Sequence, residues 1–193
     1  MHISNNTTFI NELEHFIKNT LSPSRYQHSW GVAQLATQLA IRFNLDHNLA
    51  LIAGWAHDCT REWPVTKQLI IIEQLNHVDA QLTQFPMLLH GYTAAYHLQQ
   101  SLEFYNLAVD LAMQRHSIGN PSMNELDKVL FVADYLEAGR TYITPAHHEM
   151  LTNASLNKLF ALSLTESVDY IKESGKTVHP TSLQLQIKYK EFL

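Results

Sequence analysis

Leu49-Ala50-Leu51-Ile52-Ala53-Gly54-Trp55-Ala56-His57-Asp58 is the stretch on which the fold turns. Its first eight residues carry no charge, so they read as a helix that is apolar on nearly every side and lies at the centre of a bundle. At eight residues the run is far below the ~20 that a membrane-spanning helix requires, and no longer apolar run occurs. Asp46 is placed to cap the helix, which is expected over residues 48–60. The run ends in an imidazole and a carboxyl. At 100° per residue Asp58 points with Leu51 and Gly54, into apolar surroundings. No Lys or Arg sits one turn before it, and an ionised carboxylate there is very costly unless it is paired or coordinates a metal.

Working outward, the pattern stays helical. A first helix is expected over 8–20, with Phe9, Leu13, Phe16 and Ile17 on one face. Ser22 caps a second that has Pro23 at its first position and a stripe of Val32, Leu35, Leu39 and Phe43. Pro64 opens a fourth through Ile70, Ile71, Ile72 and Leu75; a fifth covers 86–100 and a sixth 107–116. Residues 117–121 form a loop, and Ser122-Met123-Asn124-Glu125 reads as a capping box for a seventh helix that Gly139 ends. Thr144-Pro145 starts another stretch, a long amphipathic helix runs over 155–174 with Gly175 as its stop, and Pro180 opens a short last one. Six Gly and six Pro among 193 residues are too few turn-formers for an all-β chain, and no period-two strand stands out. The fold class is all-α, and the length suits one domain over 1–193.

The chain carries 13 basic and 18 acidic side chains, a formal charge of −5, which argues against a general nucleic-acid binder. A small anionic substrate is allowed where positive charge gathers at one site. The opening Met1-His2-Ile3-Ser4-Asn5-Asn6 shows neither a cationic n-region nor an apolar h-region, so a cytoplasmic protein is expected. Cys59 stands alone, which rules out an intrachain disulfide framework and fits a reducing compartment. Histidine occurs 12 times, nearly as often as Lys and Arg together, and imidazole is the commonest metal ligand.

Several of these polar residues sit on faces that should be buried. His28 points with Val32, Leu35 and Leu39; His116 follows Ala112, Val109 and Ala108; Asp134 follows Leu130 and Leu126; His90 shares a face with Met87 and Ala94. Each alone is compatible with a satisfied core residue. Five cases on five helices, all imidazoles or carboxyls, point instead to ligands closing on metal ions. Nitrogen and oxygen donors suit iron, manganese or a comparable ion, and adjacent His57 and Asp58 can reach two neighbouring positions.

The order His28, His57-Asp58, His90, His116, Asp134 resembles the HD-domain metal-dependent phosphohydrolases, in the version with two extra histidines. Closer still is the branch of symmetrical diadenosine tetraphosphate hydrolases of the YqeK type. The matching stretches are Arg25-Tyr26-Gln27-His28, Ile52-Ala53-Gly54-Trp55-Ala56-His57-Asp58, His90-Gly91 with Ala95-Tyr96, 116–123, 126–140 and Val178-His179-Pro180. The resemblance implies a helical HD core over about 21–140 with C-terminal helices at 144–193. It implies that His28, His57, Asp58 and Asp134 hold one ion, with Asp58 bridging to a second held by His90 and His116. The ions are usually iron or manganese. The implied reaction is hydrolysis of dinucleoside tetraphosphate to two nucleoside diphosphates, a hydroxide made between the two cations attacking phosphorus in line. Arg25 and Arg140 are read as phosphate clamps. Arg61, a third expected phosphate contact, stands where the family commonly has Lys, keeping the charge but replacing a point by a fork. Tyr92 and Ala138 occupy positions commonly held by Pro.

Two other enzymes fit the same ligands: a nucleotide phosphatase, marked by free phosphate, and an HD-type di-iron oxygenase, marked by dioxygen consumption. A non-catalytic signalling module typically loses ligands, and here all six positions are kept. The expected partner is a nucleotide polyphosphate, with neither nucleic acid nor membrane, and a homodimer is compatible with the sequence. Among the remaining residues, Asp127 and Lys128 read as a structural ion-pair network and Cys59 as a small buried hydrophobe. His147 and His148 read as a solvated helix start. Tyr26, Trp30, Trp55, Trp63 and Tyr135 are aromatics able to stack on a base but more usual in a core. His97, two turns beyond His90, is the best further site candidate; His15, His47 and His77 carry no signal.

Overall fold

The protein is described from a computed structural model covering residues 6–75, 78 and 80–193. Residues 1–5 of the opening stretch, and His77, lie outside this range. Ten α-helices and no strand occur among the described residues: α1 (Asn6–Thr20), α2 (Pro23–Arg42), α3 (His47–Ala56), α4 (Val65–Gln74), α5 (His90–Leu102), α6 (Leu107–Arg115), α7 (Glu125–Leu136), α8 (Pro145–Asn153), α9 (Leu156–Glu173) and α10 (Pro180–Tyr189). None of these helices is long and apolar enough to cross a membrane.

The all-round apolar helix α3 is central, packing on α1, α2, α5, α6 and α7. Its tightest neighbour is α2, where Gly54 meets the backbone of Ala33: a Cβ at position 54 would stand 2.5 Å from the Ala33 Cα. Buried Ala33, Ala36 and Ala40 on α2 and Ala50 and Ala53 on α3 add little bulk, so the two axes approach closely. On the other side α7 lies between α2, α6 and α9, and α10 covers α9. Phe160 ties these layers together, edge-on to Phe131 at 5.0 Å and to Tyr189 at 4.8 Å. A smaller cluster of Ile72, Leu82 and Leu89 seats α4 and the 3-10 turns at Ala80–Gln84 and Pro86–Leu88.

Caps set where the helices start. Ser22 accepts from the Arg25 N–H, while the Glu62 carboxylate takes both the backbone N–H and the hydroxyl of Ser22, at 2.8 and 2.6 Å. That clasp fixes the first turn of α2 against the turn after α3. Asp46 caps α3 and Asn106 caps α6, each accepting two N–H groups.

Several expectations need correction. α3 stops at Ala56, not at residue 60, because the chain leaves the helix in successive turns, Cys59 N–H to Ala56 O and Arg61 N–H to Asp58 O. The fifth helix begins at His90; residues 86–88 form a 3-10 turn. The capping box of α7 is Asn124 with Asp127, not Ser122 with Glu125, since the Ser122 N–H is already taken by Asn120 Oδ1. α7 ends before Gly139, at Leu136. Gly175 does stop α9, in the left-handed region at φ 69°. Asp127 and Lys128 are structural but not paired with each other. Buried Asp127 binds Arg115 at 2.6 Å, and Lys128 Nζ donates to Asn157 Oδ1 at 2.8 Å. His147 is buried rather than solvated: its Nδ1 accepts the Thr144 N–H, which leaves Nε2–H to donate to Glu166 at 3.1 Å.

Candidate metal centre

The five residues singled out by their inward positions, and His57 beside Asp58, stand mostly at helix ends, and the packing brings those ends together. His28 is on the second turn of α2, His57 is the C-cap of α3 with Asp58 next, His90 opens α5, His116 is the C-cap of α6, and Asp134 is in the last turn of α7. Three interlocking groups result, each with ligand atoms within 4.8 Å of one another: His28, His57 and Asp58; His57, His116 and Asp134; Asp58, His90 and His116. His116 therefore reaches both halves of the cluster, not only the half shared with His90.

The imidazoles are oriented from behind. The Nδ1–H groups of His57, His90 and His116 each donate to the carbonyl three residues back, Gly54 O at 2.8 Å, Met87 O at 2.8 Å and Met113 O at 2.6 Å. With the proton on Nδ1, each Nε2 keeps a lone pair aimed inward. Burial pushes all three imidazoles down in pKa, toward this neutral form. His28 differs: burial lowers it, but Asp134 and Glu137, at 3.0 and 3.2 Å, turn the net shift upward.

The acids respond oppositely. Burial alone would raise Asp58, yet His57 and His90 hold it well below the usual carboxylate range. Asp134 is likewise held low by His28 and His57 against its burial. The two oxygens of Asp58 face different ways: Oδ2 lies 3.6 Å from His57 Nε2 and 3.7 Å from His28 Nε2, Oδ1 3.1 Å from His90 Nε2 and 3.9 Å from His116 Nε2.

The donor set fits cations on the structure's own terms. His57 Nε2 is buried with no hydrogen-bond partner, and the His90 and His116 Nε2 atoms stand 3.0 Å apart with both Nδ1 positions already protonated. Two lone pairs facing each other repel, and a buried acceptor left without a partner costs about 1–3 kcal/mol. A cation resolves both. Four imidazoles and two carboxylates, with no thiolate, are donors for iron, manganese or a similar ion.

Around this cluster Arg25 Nη1 binds Asp58 Oδ2 at 2.8 Å and Arg140 Nη2 binds Asp134 Oδ1 at 2.8 Å, both side chains 31 % exposed. Both line a cavity of about 410 Å³ that His28 also borders. Arg61 sits elsewhere: its Nη1 donates to Met87 O at 2.5 Å, the same carbonyl that receives His90 Nδ1–H, so it braces His90 from behind. His97 is outside the centre, its ring against Phe16 and Trp63. Cys59 is a buried small side chain, its thiol pushed up by burial.

Sequence reasoning missed three supports. Glu137, 4 % exposed, accepts from His28 Nδ1 and from the Gly139 N–H; it lies just past α7, where helical periodicity says nothing. The Ser117 hydroxyl lies 3.0 Å from His116 Nε2 and 3.4 Å from His90 Nε2. Thr60 Oγ1 donates to His90 O and meets Thr93 at 2.7 Å, locking the start of α5 onto the turn after α3.

The HD domain family model matches residues 25–139. The symmetrical bis(5'-nucleosyl)-tetraphosphatase of Bacillus subtilis is 29 % identical, over 85 % of this chain and 88 % of its own length. The enzyme of that name from Halalkalibacterium halodurans is also 29 % identical, over 86 % and 89 %. A crystal structure from Clostridium acetobutylicum, described as a predicted HD superfamily hydrolase involved in NAD metabolism, superimposes with a TM-score of 0.85 at 26 % identity, covering 94 % of this chain and 96 % of that one.

Proposed function

The chain belongs to the HD domain family, and from that premise we propose that it is a metal-dependent phosphohydrolase that cleaves diadenosine tetraphosphate symmetrically to two ADP. The observation that carries the reading is the Asp58 carboxylate, whose two oxygens each face a separate pair of imidazoles. In this reading His28, His57, Asp58 and Asp134 would hold one ion and Asp58, His90 and His116 a second, with iron first among the metals that the family resemblance implies. Bound there, two such ions would supply charge neutralisation at phosphate oxygens and activation of water near neutral pH.

The chain's own groups do the rest. Arg25 and Arg140 face the cavity with forks that suit phosphate oxygens and balance the charge that develops as the anhydride breaks. A diphosphate leaves without a strong acid, so no proton donor is required of the protein. Local positive charge at the two arginines and the metal positions lets a chain of net charge −5 hold a polyanion. Arg61 positions His90, and Glu137 positions His28. The lone buried thiol fits a reducing, cytoplasmic setting.

The test is elemental analysis of the purified protein with product chromatography. Two ions per chain and ADP as sole nucleotide product are expected; AMP plus ATP would contradict central cleavage. Free phosphate would mark a nucleotide phosphatase, and dioxygen uptake an oxygenase. A second outcome concerns Glu137→Ala, which should weaken metal binding about 10- to 100-fold in chelator competition, with Glu137→Gln recovering part of it. Unchanged affinity in the alanine variant would remove Glu137 from the centre.

A further inference from the structure

Five aromatic side chains near the motifs are able to stack on a base, and the structure separates them. Trp55 is 3 % exposed and packs against Tyr26, whose hydroxyl donates to Glu14. Tyr135 is paired with Tyr142, and Trp63 lies between His97 and the Lys67 ammonium. Trp30 is 49 % exposed and, among the described residues, joins none of these ring contacts. Trp30 borders the cavity of about 410 Å³ that Arg25, His28 and Arg140 also line. That volume falls in the range of small-molecule pockets, about 300–1,000 Å³.

The arrangement along α2 is ordered. Arg25 and His28 face the acids of the metal centre, while Gln27 and Trp30, one turn apart, line the same cavity. Gly31 and Gly139 contribute only backbone to its walls. A ligand in this cavity thus meets two cationic forks together with an exposed aromatic residue and a carboxamide.

We propose that this cavity is the subsite for one nucleoside end of the substrate, with the base stacked on Trp30 and its diphosphate running inward between Arg25 and Arg140. The inference rests on the phosphohydrolase reading and adds the residue that recognises the base. Stacking on a base is tolerant of which base is presented. Gln27 offers one donor and one acceptor for the base edge.

The experiment uses the metal-loaded full chain and two variants, Trp30→Ala and Trp30→Phe. For diadenosine tetraphosphate the alanine variant should raise KM about 10-fold, which is ~1.4 kcal/mol of binding, with kcat unchanged. Phenylalanine, which keeps a stacking face, should restore KM to within about 2-fold. Independently, ADP should quench the tryptophan emission of the parent protein, and in Trp30→Phe the quench should vanish while ADP affinity persists. An alanine variant with parental KM, a loss in kcat with equal damage in the phenylalanine variant, or a quench that survives removal of Trp30 would overturn the proposal. The quench reads ADP binding whatever the cleavage pattern, so failure of symmetrical hydrolysis and failure of this subsite are told apart.

Discussion

Asp58→Asn is expected to lower kcat by at least about 10³-fold and to cut bound metal from two ions per chain to fewer than one. The size follows from what the two ions contribute to a phosphoryl transition state, several kcal/mol at ~1.4 kcal/mol per decade of rate. The reason lies in the direction of the two oxygens. Oδ1 faces His90 and His116 and Oδ2 faces His28 and His57, so in the proposed centre one carboxylate would serve both positions. An amide of the same shape offers one oxygen and one N–H pair that repels a cation, and it also releases Arg25 from its 2.8 Å ion pair. Circular dichroism and thermal unfolding should show a folded protein, since the shape is kept. His90→Ala is the comparison: it should retain close to one ion per chain, because the His28 side of the cluster is untouched. Two ions in the asparagine variant would mean that Asp58 does not bridge.

The second large effect is on stability. Gly54→Val should destabilise the protein by at least about 3 kcal/mol and lower Tm by roughly 10 °C, at the usual ~2–4 °C per kcal/mol for a chain of this size. On an exposed helix, replacing Gly by Ala would be favourable by about 1 kcal/mol. Here the first added carbon would already lie 2.5 Å from the Ala33 Cα and 2.8 Å from its nitrogen, both backbone atoms that cannot turn aside. The helices would have to separate, and α2 and α3 carry His28 and His57 on either side of that contact. Metal affinity should therefore fall with stability. A calorimetric Tm within 2 °C of the parent would show that the helices are not so close.

Much of the architecture was legible because its causes are local. Ser22, Asp46, Ser155 and Pro180 announce helix starts through side chains or ring geometry acting within one turn. Ends were read less well. α3 and α7 stop earlier than residues 60 and 139, because what stops them is a set of turn bonds and, after α7, the pull of Glu137 toward His28 and the Gly139 N–H. The box at Asn124 was misplaced by two residues for a similar reason, since Asn120 competes for the Ser122 N–H. His147 was expected in solvent because a helix's first turn is usually wet; the acid that buries it, Glu166, lies on another helix.

The sequence by itself determined that the chain is helical, that α3 is the centre, and that five imidazole and carboxyl side chains turn inward, with His57 next to one of them. Periodicity reports the direction of a side chain around its own helix axis, and a charged or basic group on an apolar face is visible in that frame. Only the tertiary structure decided which oxygen of Asp58 meets which imidazole, that Arg61 stands behind His90 while Arg25 and Arg140 face the cavity, and that Trp30 alone of five aromatics is left open beside them. Those are relations between the ends of different helices, set by how closely the axes pack, as at Gly54 against Ala33. Spacing within one helix carries no information about the distance to the next.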